Sequence, residues 1–307
     1  MREVVPVVER AFRLVGDGRS VVAERVRLVH PPLPPGSQGE GRPWERDLRI
    51  IPGALQGIGY GVRLGASLRS RAGGVILALW DWDSMRLLAI ISDHLVHAVR
   101  STAPDGVLAK CLARPDASVL GVIGSGRLAR WAVEAICAVR PIREVRLWSP
   151  TPGHAAACAH YLTGRAESEV SFQPVGGAQE AVRGAHVVVS ATTAREPVLR
   201  GQWLSPGCTV IVNRPEELDA ETARRGRLVT TYMEGVFGHV PPYRALDGLA
   251  AGFTVVSEIM TGRAPGRTSP DDVLVALNPA YGVIDAAVAR FVYDKAVEAG
   301  VGVELET

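Results

Sequence analysis

The sequence predicts an α/β protein built on a mostly parallel, doubly wound sheet, and three observations carry that prediction. From Ser118 onward short apolar runs alternate with helical segments, the first of these runs breaks into Gly-x-Gly-x-x-Ala, and the chain closes on a long helix with one apolar face. Strands separated by helices run parallel to one another, and the helices then cover both faces of the sheet.

Composition sets the frame. A chain of 307 residues, 47% hydrophobic and 21% charged, has the balance of one large or two ordinary globular domains. The 34 Lys and Arg against 32 Asp and Glu leave a net charge of +2, too little field to recruit nucleic acid or a membrane surface, so the expected partners are small molecules. Lysine occurs only at Lys110 and Lys295; the remaining cations are arginines. The opening "MREVVPVVERAF" has no basic segment leading into a long apolar run, and no stretch reaches membrane-spanning length, which points to a cytoplasmic protein. Cys111, Cys137, Cys158 and Cys208 are widely spaced, without a Cys-x-x-Cys pair, and read as reduced thiols rather than a disulfide framework or a zinc site.

Taken in order, residues 2–15 place Val4, Val8, Ala11, Phe12 and Val15 at helical spacing, and "GDG" ends that helix. Residues 30–47, rich in Pro and Gly, read as a loop; their "PPLPP" is an excursion between strands ahead of a polyproline ligand. Strands are expected at 59–66 and 75–81, and 87–113 reads as a strand feeding a helix that Pro104 disturbs or restarts. Beyond Ser118 the strand-like runs are 119–123, 145–148, 169–175, 186–192, 208–213 and 227–232. The last helix, within 281–300, carries Ile284, Ala287, Val288, Phe291, Val292 and Ala296 on one face and returns to the N-terminal section.

The glycine turn is the first candidate site. After the buried run 119–123, Gly124 permits a tight turn, Gly126 lets the backbone approach a pyrophosphate, and Ala129 lets the next helix sit close to the sheet. That helix aligns Leu128, Ala132, Ala135, Ile136 and Val139 and stops at Pro141, with its free amides, around Ser125, Arg127 and Leu128, turned to an anion. A loose glycine match is weak alone; strand, turn and helix in sequence favour a dinucleotide over a turn without a ligand. The second strand delivers "SPTP" where an acid would receive the ribose of NAD. Ser149 and Thr151 can donate to a 2′-phosphate that an aspartate would repel, so NADP(H) is favoured over NAD(H). The alternative is that Ser149 caps the following helix.

The run "RSTAPDGVLAKCLARPDASVLGVIGSGRLARWAVEAICAVRPIREVRLWSPTP", 100–152, resembles the ornithine cyclodeaminase and mu-crystallin family, as do "ELDAE" at 217–221, "SEIMTGRAPGRTSPDDV" at 257–273 and "NPAYGVIDAAVARFVYDKA" at 278–296. The resemblance covers essentially the whole chain. It implies a Rossmann-type domain, 115–282, inserted into an α+β substrate-binding and dimerisation domain, 1–114 plus 283–307, with homodimers and catalysis in the cleft between domains. It also implies chemistry at a carbon–nitrogen bond beside a carboxylate, with a nicotinamide transferring hydride and the protein holding the carboxylate and handling a proton.

Residue by residue, the resemblance gives Arg25 and Arg100 as carboxylate-binding arginines and puts Arg63 where the family usually has lysine. A planar guanidinium grips a carboxylate through two parallel hydrogen bonds, so three of them make an anion clamp; Arg42, Arg46 and Arg49 compete for the place of Arg25. Arginine effectively cannot lose its proton, so Arg63 cannot serve as proton donor in the way a lysine can, and His97, one turn before Arg100, is the named candidate. A helix histidine merely bonded to the backbone is nonetheless the favoured reading of His97, and His94 with His97 lacks the further ligands of a metal pair. The resemblance further implies cofactor contacts at Ser101, Thr102, Ala191, Thr192, Thr193 and, with Val212, at Asn213. Asp285 matches an acid at the start of the last helix, where capping accounts for it.

After "CTVIVN" the family's cyclodeaminases continue through a short Gly-Gly-Asp or Gly-Ser-Asp loop, and here Asn213 runs directly into "RPEELDAE". Glu216 and Glu217 stand near the missing aspartate but read as the start of the next helix. Three functions follow. The leading one is an NADPH-dependent reductase of an imine or ketimine beside a carboxylate. The others are an NAD(P)-dependent amino-acid or opine-type dehydrogenase or cyclodeaminase, and a cofactor-binding protein without turnover.

Overall fold

The computed structural model describes residues 1–29, 47–66, 74–166, 169–233, 252–279 and 281–304. The loop 30–46, with its "PPLPP", Arg42 and Arg46, lies outside the described residues. In chain order the first elements are α1 (Val4–Gly16), β1 (Ser20–Val22), β2 (Val26–Val29), β3 (Asp47–Leu55), β4 (Gly59–Ala66), β5 (Val75–Trp80), β6 (Leu87–Ser92) and α2 (Asp93–Leu112). The middle of the chain forms β7 (Val119–Ile123), α3 (Arg127–Cys137), β8 (Glu144–Trp148), α4 (Pro152–Thr163), β9 (Ser171–Pro174), α5 (Ala178–Val182), β10 (Val187–Ser190) and β11 (Thr209–Val212). Then come α6 (Ala220–Arg225), β12 (Arg227–Thr230), β13 (Phe253–Val255), α7 (Val256–Met260), β14 (Leu274–Leu277) and α8 (Gly282–Glu298).

The chain folds as two compact units, one of residues 1–16 with 101–280 and one of 17–100 with 281–307. The boundaries therefore fall at 16/17, 100/101 and 280/281, where the sequence reading has 114/115 and 282/283. The reason is α1, which packs with the parallel sheet's unit. Its buried stripe, Val4, Val5, Val8, Ala11 and Phe12, follows the helical spacing, and Gly106 of α2 approaches Val5 so closely that a Cβ there would come within 2.8 Å of Val5 Cγ2. Arg13 donates to the Met260 carbonyl at 2.9 Å, fixing the helix end on α7.

In the first unit an eight-stranded sheet has the order β13-β12-β14-β11-β10-β7-β8-β9, with every pairing parallel. All four residues of β10, β11 and β14 are buried, as strands covered on both faces must be. The sequence reading anticipates β7 to β12 but not β13 or β14. β14, "LVAL", enters between β11 and β12; four apolar residues show no period by which to tell strand from helix.

In the second unit β1-β3-β4-β5-β6 form an antiparallel sheet, with β2 also paired to β3. β4 alternates strictly, so Gly59, Gly61, Arg63 and Gly65 are buried on one face while Tyr60, Val62 and Leu64 lie on the other. The glycines are there for α8: a Cβ on Gly61 would sit 2.6 Å from Ala286 Cα, and one on Gly53 would run into the backbone of Gly282. Helix and sheet thus meet backbone to backbone. The predicted apolar stripe of the last helix gives way to burial by half: every residue from Gly282 to Ala289 is buried, whereas Phe291, Val292 and Ala296 are only part-buried.

Pro104 neither breaks nor restarts α2, which runs unbroken from Asp93 to Leu112. Proline denies the Arg100 carbonyl its intrahelical partner. The helix continues because residues 100–109 are all buried and packing holds them in place. No described helix is long and apolar enough to cross a membrane.

Candidate active site

The carboxyl ends of β7, β8, β10, β11 and β14 form one edge of the parallel sheet, where open α/β sheets take their ligands. Gly124 has φ +115°, a conformation side-chain-bearing residues rarely adopt, and a Cβ there would lie 2.5 Å from the Ala191 carbonyl oxygen. Gly126 meets nothing within 4 Å on that side. It is also the N-cap of α3 and offers no side-chain acceptor, so the first amides of this eleven-residue helix are left for another acceptor. Ala129 is wholly buried, which keeps the helix tight on the sheet. These features fit a pyrophosphate: an open backbone approach, uncapped amides and the helix dipole behind them.

Beyond β8, Ser149 is buried and Thr151, the N-cap of α4, makes no side-chain capping bond; Pro152 follows at the first helical position. Ser149 is therefore not a helix cap.

Ala191, Thr192 and Thr193 follow β10. Thr192 donates through both its N–H and its hydroxyl to Glu217 Oε1, each at 2.6 Å, and Ala194 N–H donates to the Thr192 hydroxyl at 3.0 Å. Glu217 does not start a helix: it ends a 3₁₀ turn, Pro215–Glu217, while α6 begins at Ala220 with Asp219 as its cap, accepting from Thr222 N–H at 2.8 Å. Fully buried, Glu217 has its pKa raised by loss of water, against the pull of the Thr192 bonds. It fixes the loop that borders the glycine turn.

Asn213 enters a buried polar cluster. Asn278 Nδ2 donates to Asp105 Oδ1 at 2.6 Å and to the Ser101 carbonyl at 2.9 Å, and Asn213 Nδ2 reaches Asp105 Oδ2 at 3.4 Å. Burial lifts Asp105 to about 7, opposed by the bonds from Asn278 and Asn213. Ser101 is buried beside this cluster, and Thr102 is wholly enclosed in α2.

The arginines gather in the other unit. Arg63 Nε donates to Asp93 Oδ2 at 2.6 Å, both side chains buried. Arg100 Nε stands 3.3 Å from Asp285 Oδ1, at ion-pair distance but not aligned as a hydrogen bond. Arg63 Nη2 and Arg100 Nη1 are buried and have no hydrogen-bond partner. An unmet cationic N–H costs a folded chain more than a neutral one, so such donors point to an anionic ligand. Burial holds Arg100 below the ordinary arginine range, with Asp285 opposing and Arg63 assisting, and raises Asp285 against the pull of Arg100. Arg25 falls to about 10, through burial first and then the charges of Arg49, Arg100 and Arg63.

The charges of Arg63 and Arg100 thus act on Arg25, as those of a common cluster do. Asp285 is not a cap: Tyr281 holds that position, and Asp285 is the fourth residue of α8, turned to Arg100. On α2, His97 is half-buried, one turn from both Asp93 and Arg100, and His94 is exposed. Among the described residues no three His, Cys, Asp or Glu side chains form a metal site. Sequence reasoning misses Asp93, Asp105 and Asn278. The one available signal is an acid at 105 inside an otherwise apolar stretch of helix.

Comparison with known proteins gives this geometry its setting. The model of the ornithine cyclodeaminase/mu-crystallin family matches residues 1–300. The chain belongs to that family. Within it, a Δ1-pyrroline-2-carboxylate reductase of Bacillus cereus is 31% identical over 75% of this chain and 74% of its own length. The ketimine reductase mu-crystallin of Mus musculus is 30% identical over 70% and 67%. Among solved structures, the Δ1-pyrroline-2-carboxylate reductase of Thermococcus litoralis, in complex with NADH and L-proline, superposes with a TM-score of 0.86 at 26% identity, covering 99% of this chain and 96% of that one.

Proposed function

We propose that the protein is an NADPH-dependent reductase of an imine or ketimine that bears a carboxylate on the carbon of its C=N bond. The observation that carries this reading is the pair of buried guanidiniums, each paired to a buried acid through one nitrogen and holding an unmet N–H on another. A carboxylate satisfies both donors with charge-assisted bonds. Family members that reduce pyrroline-2-carboxylate or ketimines support the reaction type.

Bound along the carboxyl edge, NADPH supplies the hydride for the imine carbon. Gly124, Ser125, Gly126, Arg127 and Leu128 would hold its pyrophosphate, with Ala129 seating the helix on the sheet behind them, and Ser149 with Thr151 would receive the 2′-phosphate that an aspartate in their place would repel. Ser101, Ala191, Thr192, Thr193 and Asn213 would complete the cofactor contacts; Thr102, expected there from the sequence, is wholly enclosed in α2. Arg25, Arg63 and Arg100 orient the substrate carboxylate. The nitrogen gains a proton as the carbon gains hydride; arginine cannot give one near neutrality, which leaves His97 or solvent as donor. The direct run from Asn213 into the 215–217 turn, without the cyclodeaminase loop, favours reduction over cyclisation.

The same reading makes the protein a homodimer. The face of the antiparallel sheet turned away from α8 exposes Val26, Leu28, Leu48, Ile76 and Ile90, with Leu28 56% and Ile90 52% exposed. A contiguous apolar sheet face of this kind marks an interface.

Oxidation of NADPH in the presence of Δ1-pyrroline-2-carboxylate tests the reaction. Wild-type protein is expected to turn over, and Arg100→Lys, which keeps the charge facing Asp285 but loses the planar fork, to lose kcat/KM by about tenfold or more. Full kcat/KM in that variant would remove Arg100 from the clamp.

A further inference from the structure

The buried ion pairs leave acceptors unmet as well as donors. Among the described residues, Asp93 Oδ1 and both carboxylate oxygens of Asp285 accept no hydrogen bond, and the two acids are enclosed, at 1% and 0% exposure. A buried acceptor without a donor costs the folded chain just as an unmet donor does. A carboxylate ligand satisfies Arg63 Nη2 and Arg100 Nη1 but brings no hydrogen for an acid. The ligand that answers both sets presents an anionic group and, beside it, an N–H or O–H donor.

The two acids differ in what binds them. Asp93 Oδ2 accepts a hydrogen bond of 2.6 Å from Arg63 Nε and so orients that guanidinium. Asp285 is held by charge alone: Arg100 Nε stands 3.3 Å from Oδ1 without the alignment of a hydrogen bond, and Arg63 and Arg25 act on the carboxylate less strongly. Asp285 is therefore the acid whose hydrogen-bonding capacity is wholly unspent. In a substrate whose carboxylate sits on the carbon of a C=N bond, the nitrogen is bonded to that same carbon. An acceptor for the nitrogen has to stand beside the guanidiniums that grip the carboxylate, and Asp285 stands beside Arg100.

We propose that Asp285 accepts the N–H of the substrate nitrogen through Oδ2, so that the imine is bound in its protonated form. This rests on the reductase reading for the reaction but not for the N–H contact, which binding alone tests. An opposite charge at hydrogen-bond distance favours the protonated nitrogen, and the source of the reaction's proton narrows to solvent. The imine carbon then takes hydride from NADPH, the π electrons of the C=N bond pass to nitrogen as its lone pair, and the products are the neutral amine and NADP+.

The experiment compares L-proline with cyclopentanecarboxylate, the same ring with a methylene in place of the nitrogen. Both are titrated calorimetrically into wild-type protein and Asp285→Asn with NADPH present, a pairing that permits binding without turnover. Wild type is expected to bind proline about tenfold or more tighter, and Asp285→Asn to weaken proline by a similar factor while leaving cyclopentanecarboxylate almost unchanged. Equal binding of the two ligands by wild type overturns the contact, whether or not the variant folds. A variant that weakens both alike also overturns it, since that is the mark of a displaced Arg100. If wild type fails to oxidise NADPH with Δ1-pyrroline-2-carboxylate yet prefers proline in a manner that depends on Asp285, the reductase reading falls and the N–H contact stands.

Discussion

At Asp105, burial lifts a carboxyl from an ordinary 3.8 to about 7. The folded chain therefore keeps this proton to higher pH than the unfolded chain does. Between about pH 4 and pH 7 the unfolded state binds fewer protons, so the contribution of this group to stability falls as pH rises, by at most ~1.4 kcal/mol per pH unit. Above the folded pKa its contribution is flat. Melting across pH 5 to 8 should show this decline in wild type and a shallower one in Asp105→Asn, which is neutral throughout; identical slopes would remove Asp105 as the source. A second residue-scale outcome concerns Ser149. On the proposed NADPH reading an aspartate there faces the 2′-phosphate with a like charge, and Ser149→Asp should shift the NADPH-to-NADH affinity ratio by about tenfold or more toward NADH, read by fluorescence titration. That Ser149 stands where an acid is missing could be read directly, because that is a property of the strand end itself. Asp105 was not, because its partners Asn213 and Asn278 lie 108 and 173 residues away in the chain.

At the scale of elements, the open face of the antiparallel sheet makes a direct prediction. Leu28→Asp places a charge among Val26, Leu48 and Ile76 on that face; on the proposed homodimer, sedimentation or light scattering should find dimer for wild type and monomer for the variant. A wild-type monomer would remove the interface. Elements with a clear pattern were readable: α1 from its apolar spacing, and the strand, turn and helix at 119–137 from their glycines. Elements without one were not. β14 is uniformly apolar, and α8 is buried on all sides in its first half because Gly282, Ala286, Ala287 and Ala289 are small enough to be enclosed. The predicted stripe therefore marks the buried part at Ile284, Ala287 and Val288 but runs past it at Phe291, Val292 and Ala296.

For the whole molecule, the glycine turn and the proposed cofactor contacts lie within the unit of 1–16 and 101–280, and Arg25, Arg63 and Arg100 within that of 17–100 and 281–307. A ligand that binds only the folded state stabilises by RT ln(1 + [L]/Kd), about 2.7 kcal/mol at a hundredfold excess over Kd. NADPH should accordingly raise the melting midpoint of the parallel-sheet unit by several degrees, measured by differential scanning calorimetry, and NADH by less at equal concentration. Equal shifts would set aside the phosphate preference. The parallel sheet was readable, since it is written in the order of strands and helices. The assignment of α1 was not, because an amphipathic stripe tells that a helix is covered but not by what.

The close seating of α8 on the sheet bears on how this site can vary. The place of Asp285 is set where Gly53 meets Gly282 and Gly61 meets Ala286, by main chain resting on main chain. Apolar side chains elsewhere in the sheet can be exchanged one for another without moving that carboxylate. A single methyl at Gly53 or Gly61 would lift the helix, carry the acid away from Arg100, and leave a buried cation unbalanced.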